Sequence, residues 1–233
     1  EHNGMKLEKF DIGSNKQFVL KKDPKSYSGF EIRNVKSNNL LWTGKGKNTT
    51  PLFTVEELLA KNGKFNDNQM STALVVTYGK FKYYAGGDNS GLVDQDHAEW
   101  YDIETPMAPI VGKVSAMSLN HHSNRDATNR NFLDVLDPKV VVAQSWSTDH
   151  PGPEVGQRLL SANVGTQKRD IFMTYYHEET GIGIGPWYSR GVKAKEGHIV
   201  IRVYPDGKYE VYVLDARKSN LTVQKKFGPY VSE

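Results

Sequence analysis

Cysteine is missing from all 233 residues. No disulfide, thiolate metal site or cysteine nucleophile can therefore form, and any bound metal must draw on His, Asp, Glu or water. A cysteine-free chain suits either redox environment, so localisation stays open. Long apolar runs are missing too: none approaches the ~18 residues a membrane span needs, and no span is expected. Charge of one sign is scarce, with 30 basic against 27 acidic residues and a formal net charge of +3. That balance is compatible with a phosphate-bearing substrate but does not argue for one. No Gly-x-Ser-x-Gly elbow occurs, which disfavours a serine hydrolase. The glycine-rich segment 181–186 fits neither a phosphate loop nor a dinucleotide fingerprint, and is expected to be a turn or strand edge.

What is present is ordinary for a globular protein: 37% hydrophobic and 24% charged residues, enough to bury one core. A single domain over 1–233 is the expectation, of mixed α/β class. Strands are expected at 17–22, 30–35, 71–78, 81–85, 113–119, 139–143, 170–175, 197–204 and 208–214. Segments 71–78 and 81–85 should form a hairpin about Gly79-Lys80. Thr54-Val55-Glu56-Glu57 is a capping box opening a helix over 55–61. Further helices are expected at 94–101, 129–136 and 154–161, with Pro106 and Pro109 marking a loop. The run 139–143 is β-branched without alternation, as in a strand buried on both faces.

Two positions carry the strongest chemical signal. Asp88 follows an aromatic strand in Gly-Gly-Asp-Asn-Ser-Gly, and the pair His121-His122 follows a later strand in Leu-Asn-His-His-Ser-Asn-Arg. Carboxylate and imidazole at the ends of adjacent strands are well placed to hold a divalent metal, because strand ends converge where side chains meet. In isolation Asp88 reads as a turn aspartate and the histidines as a polar surface loop; the combination favours the metal. Neighbours in an extended segment face opposite ways, so one histidine would be a ligand and the other would orient it or touch substrate. Ser123 could contribute a hydrogen bond. His150, in Asp-His-Pro-Gly-Pro-Glu-Val, stands before a helix, where a helix-entry role and an acid, base or phosphate contact are equally matched.

Taken in order, these segments resemble the metallo-β-lactamase fold hydrolases. The succession is Asn66-Asp67-Asn68-Gln69-Met70-Ser71, then Tyr78-Gly79-Lys80-Phe81, Gly87-Asp88, Leu119-Asn120-His121-His122-Ser123, Asp137-Pro138-Lys139-Val140 and His150-Pro151-Gly152-Pro153-Glu154-Val155. The nearest group is that related to the C-terminal domain of the bacterial competence DNA-uptake channel protein. The resemblance covers about 65–161, with a fitting end at 197–214, and is specific as a combination rather than motif by motif. It implies the four-layer αβ/βα sandwich, lacking its N-terminal part. It assigns Asp88 as a bridge between two metals, His121 or His122 as a ligand with His121 preferred, and His150 as a substrate contact. The family's upstream metal motif continues Asp-His-x-Gly-Gly, so His2 in Glu1-His2-Asn3-Gly4 stands where its last histidine would, and the chain is expected to start inside that motif.

The function implied is hydrolysis by a metal-activated water at a dinuclear zinc (or manganese) site. Metal ligands would be His2, Asp88, His121 and His122; Asp88 and His150 would be catalytic, with His150 and Ser123 on the substrate. A small-molecule or phosphodiester substrate is favoured, nucleic acid among the options. Departures exist: His-His-Ser-Asn replaces His-His-Gly-Ser, and Glu1 replaces an aspartate. They keep open an inactive domain that binds a partner or glycan through Trp42, Trp100, Trp146 and Trp187.

Overall fold

The computed structural model describes Gly4 and residues 6–60, 67–92 and 98–233. An antiparallel meander comes first. Strand β1 (Phe30–Ser37) pairs with β2 (Leu40–Trp42), and β2 with β3 (Thr49–Pro51). Helix α1 (Val55–Ala60) opens on the expected reciprocal cap: Glu57 N–H donates to Thr54 Oγ1 at 3.1 Å, and Thr54 N–H to the Glu57 carboxylate at 2.7 Å. Strand β4 (Ala73–Tyr78) returns along β1, and the chain turns at Gly79 (φ 58°) into β5 (Phe81–Gly86). This is the expected hairpin.

From β5 onward the sheet is parallel. Helix α2 (Glu104–Val111), β6 (Ala116–Ser118), α3 (Arg130–Leu136), β7 (Val140–Ala143), α4 (Pro153–Leu160) and β8 (Asp170–Met173) follow, then α5 (Glu178–Ile184), α6 (Pro186–Gly191) and β9 (Val192–Ala194). The nine strands run β3-β2-β1-β4-β5-β6-β7-β8-β9, and β10 (His198–Val203), β11 (Lys208–Leu214) and β12 (Val223–Val231) make a second, three-stranded antiparallel sheet. The class is mixed α/β, as expected.

Each face of the large sheet has its own core. Val75, Tyr84, Met117, Val141 and Ile171 pack against Met107, Phe132, Leu133, Val155 and Leu159 of the helices. On the other face Phe81, Ala116, Val140 and Phe172 meet Tyr209, Val211 and Val213 of the second sheet. Strand β7 explains its own composition: Val141 and Ala143 enter the helix-side core and Val140 the opposite one, and all four of its residues are buried. Each of the three valines contributes ~1.5–3 kcal/mol relative to exposure.

Several elements depart from expectation. Residues 17–22 form no strand: the Gln17 side chain takes the polar bonds itself, accepting from Asp11 N–H at 2.9 Å and donating to the Lys9 carbonyl at 2.8 Å. Pro106 and Pro109 lie inside α2, where Asp102 Oδ1 caps Thr105 N–H at 2.9 Å; Pro106 stands in the first turn, where an N–H has no helical partner anyway. Segment 181–186 is not a strand edge. Its first part completes α5, which ends at Gly185 (φ 95°) as Pro186 begins α6. The helix expected at 94–101 falls partly outside the described residues, and Glu99–Tyr101 is a 3-10 turn. Strand β6 is shorter than 113–119. Strand β12 carries Lys225 and Lys226 on a largely exposed edge, so its pattern lacks the apolar alternation of a half-buried strand.

Candidate functional site

Parallel strands deliver their following loops to one end of a sheet, and three loops meet there. Asp88 follows β5, His121 and His122 follow β6, and Trp146 and His150 follow β7. Gly86 and Gly87 are required by crowding. A Cβ on Gly86 would lie 2.1 Å from Asn120 Oδ1, and one on Gly87 would lie 2.8 Å from Ser71 Oγ. The Asp88 N–H donates to that Ser71 hydroxyl at 3.0 Å.

The histidine pair is not extended. His121 (φ 45°), His122 (φ 52°) and Ser123 (φ 70°) are left-handed in succession, so both rings turn toward the same cluster. Such a conformation is costly for non-glycine residues and marks a site that the surroundings hold in place. The two imidazoles are 6.5 Å apart by ring centroid, and the His150 ring lies 6.4 Å from His121 and 5.7 Å from His122, stacked on the latter. The opposite-facing arrangement drawn from an extended pair does not hold.

Their partners differ. His122 Nε2 is 3.3 Å from Asp88 Oδ1, while its Nδ1 donates to the Gln144 carbonyl at 2.9 Å, which orients the ring. His121 is engaged at both nitrogens, Nδ1 with Asp126 Oδ1 at 2.8 Å and Nε2 with Asn68 Nδ2 at 3.0 Å. Burial acts against the charged His121 ring, but the Asp126 bond and the carboxylates of Asp126, Asp88 and Asp149 outweigh it and raise its pKa. His150 is shifted the opposite way. Burial lowers its pKa, His122 and His121 add to the lowering, and Asp149 and Asp88 oppose it. Its Nδ1 is buried without a hydrogen-bond partner among the described residues.

The Ser123 hydroxyl is likewise buried and unpartnered among the described residues, and its carbonyl accepts from Gly152 N–H at 2.8 Å. The residue therefore ties the β6 loop to the β7 loop. His2 lies outside the described residues. Sequence reasoning missed Asp126, Asn68 and Ser71 as partners of the site, since a hydrogen bond across loops leaves no periodic trace. Of the tryptophans, Trp100 and Trp187 pack partly buried on the helix-side core, and Trp42 sits under Arg33. Trp146 is 60% exposed, its ring 4.2 Å from His122 and 5.7 Å from His150 by centroid.

Among the described residues no group of three or more imidazoles and carboxylates is arranged to hold a metal ion alone. Asp88 and His122 nevertheless suit two positions of one ion: ligand bonds of about 2.0–2.1 Å set neighbouring tetrahedral donors about 3.4 Å apart, close to the observed 3.3 Å. Oxygen and nitrogen donors without thiolate suit zinc or manganese. No protein-family model matches the chain, and no curated protein matches it. Among the described residues no helix is long and apolar enough to cross a membrane.

Proposed function

We propose that the chain is a metallo-β-lactamase-type, metal-dependent hydrolase, with Asp88 and His122 as ligands of a divalent ion. The observation that supports this reading is the 3.3 Å approach of carboxylate and imidazole beyond the ends of two adjacent parallel strands. The remaining ligands would come from outside the described residues, His2 among them. A divalent ion supplies Lewis acidity and a water of lowered pKa. The chain's own residues do the rest. Gln144 fixes the His122 ring so that Nε2 faces Asp88. Asp126 and Asn68 hold His121 beside the pair, one at each ring nitrogen. His150, whose pKa burial lowers, offers a ring nitrogen to polarise the substrate or pass a proton to the leaving group. A phosphodiester is the favoured substrate class, on the strength of the resemblance.

The test is metal content of the complete protein beside turnover of bis(4-nitrophenyl) phosphate, with Asp88→Asn and His122→Ala as controls. Stoichiometric zinc or manganese, and at least ~100-fold loss of turnover in Asp88→Asn, are expected. Metal far below one ion per chain together with no turnover would sink the reading. A second reading, a binding module without turnover, has one observation in its favour: the exposed indole of Trp146 against His122 and His150.

A further inference from the structure

Lys36 is buried in β1, between apolar Val35 and a strand partner, Leu41, that is buried as well. Among the described residues no carboxylate pairs with it. Its ammonium instead donates to two backbone carbonyls, Gln69 at 2.7 Å and Ser71 at 2.8 Å. Burial alone pushes its pKa down to about 7. A buried lysine without a counter-ion is expensive, and an apolar side chain of similar volume would cost less. What the lysine's two bonds accomplish is therefore the question.

They grip the C-terminal side of one short turn, Asp67–Met70, and the serine after it. That turn touches the site twice. Ser71 Oγ receives the Asp88 N–H at 3.0 Å, and Asn68 Nδ2 meets His121 Nε2 at 3.0 Å. Within the turn Ser71 N–H donates to the Asn68 carbonyl at 3.0 Å, so the two contacts cannot shift independently. The Gln69 side chain reaches a third point, donating to Ser90 Oγ at 3.1 Å on the Asp88 loop.

We propose that Lys36 is a positioning residue for the site: by clamping the 67–71 turn it sets the Asp88 backbone and the His121 ring relative to each other. The assignment rests on reading Asp88 and the histidines as the functional site. A counterpart acts on the other side. The fully buried Glu104 carboxylate accepts from Asn120 Nδ2 at 2.7 Å, Thr128 N–H at 2.7 Å and Asn129 N–H at 2.6 Å, and so pins the loop that carries His121 and His122. Each clamp has its own set of amides, which makes them separable.

Amide hydrogen exchange on the complete protein reads this directly. In Lys36→Met the Asp88 amide should exchange about tenfold faster while the β7 amides keep their rates, because one local bond weakens without global opening. Ser71→Ala should reproduce the Asp88 effect by removing the acceptor itself. Glu104→Gln should speed Thr128 and Asn129 and leave Asp88 alone. Should Lys36→Met fail to fold, Lys36→Gln, which keeps a shorter donor, takes its place with the same expectations. With bis(4-nitrophenyl) phosphate, Lys36→Met should lower kcat about tenfold and hold KM, as for misplacement of a reacting group. An unchanged Asp88 amide, or equal acceleration throughout the core, overturns the proposal. Absence of turnover in the wild type would remove the proposed hydrolase while leaving the exchange result to stand or fall alone.

Discussion

Arg169, at the start of β8, and His122, beyond the end of β6, occupy opposite ends of the same parallel sheet. Arg169 is buried, and its guanidinium donates to the carbonyls of Val164 at 2.8 Å and Leu133 at 3.3 Å, with Asp137 Oδ1 at 3.7 Å. Asp137 in turn accepts from Thr166 N–H at 2.9 Å. Charge and backbone here nearly saturate one another, though among the described residues Arg169 Nε has no partner. At the other end His150 Nδ1 and Ser123 Oγ are buried without partners among the described residues, three imidazoles crowd together, and an indole faces solvent. Unsatisfied buried polar atoms cost stability and persist where something other than stability is served. The same fold thus spends its polar groups on closure at one end and leaves them open at the other.

The largest effect should come from breaking the closed end. Arg169→Met removes the buried cation beside Asp137 and leaves the Leu133 and Val164 carbonyls unmet, so about 3–5 kcal/mol of stability should be lost, read as a lower urea midpoint. On the proposed hydrolase reading, metal content at the open end should be unchanged. A variant of wild-type stability, or one that loses metal while still folded, would erase the contrast between the ends.

Next comes Glu104, whose clamp lies close to the open end. Burial pushes its carboxyl up from 4.5 to about 7, against the opposing pull of the Asn129, Asn120 and Thr128 N–H bonds. A raised carboxyl pKa means that the folded state holds its proton after the unfolded chain has released its own. Stability from this group is therefore full below about pH 4.5 and falls as pH rises, by up to about 3 kcal/mol near pH 7. Glu104→Gln should lack that fall. Urea midpoints of both proteins across the window check it, and parallel pH curves would show that the carboxyl is ionised throughout.

Much of the fold could be read from the chain because its signals are local. The Thr54–Glu57 box, the Gly79 hairpin and the unbroken Val140–Ala143 run each state their structure within a few residues. The failures were equally physical. Pro106 and Pro109 argue for a loop, yet the Asp102 cap and burial of Met107, Ala108 and Val111 hold a helix around them. Glycines at 181 and 183 lower helix propensity without preventing α5. At the site, Asp88, His121, His122 and His150 were legible as residue types, and the structure brings all four together. The division of labour between the two histidines was not. It depends on left-handed backbone and on Asn68, Asp126 and Gln144, contacts that only tertiary placement creates.

The smallest effect on stability should fall on the most exposed part of the open end. Trp146 is 60% exposed, and the rings it meets belong to His122 and His150 rather than to either core. Trp100, by contrast, packs on Phe53 at 4.8 Å between centroids within the helix-side core. Trp146→Ala should therefore change stability by no more than about 0.5 kcal/mol and leave metal content as in the wild type, while acrylamide quenching of the remaining tryptophan fluorescence drops. Trp100→Ala should cost several-fold more, since it opens space against a buried phenylalanine. Were Trp146→Ala as damaging as Trp100→Ala, the indole would be closing the protein as Arg169 does. A neutral substitution would instead leave the indole free to meet a ligand, which is what an open end requires.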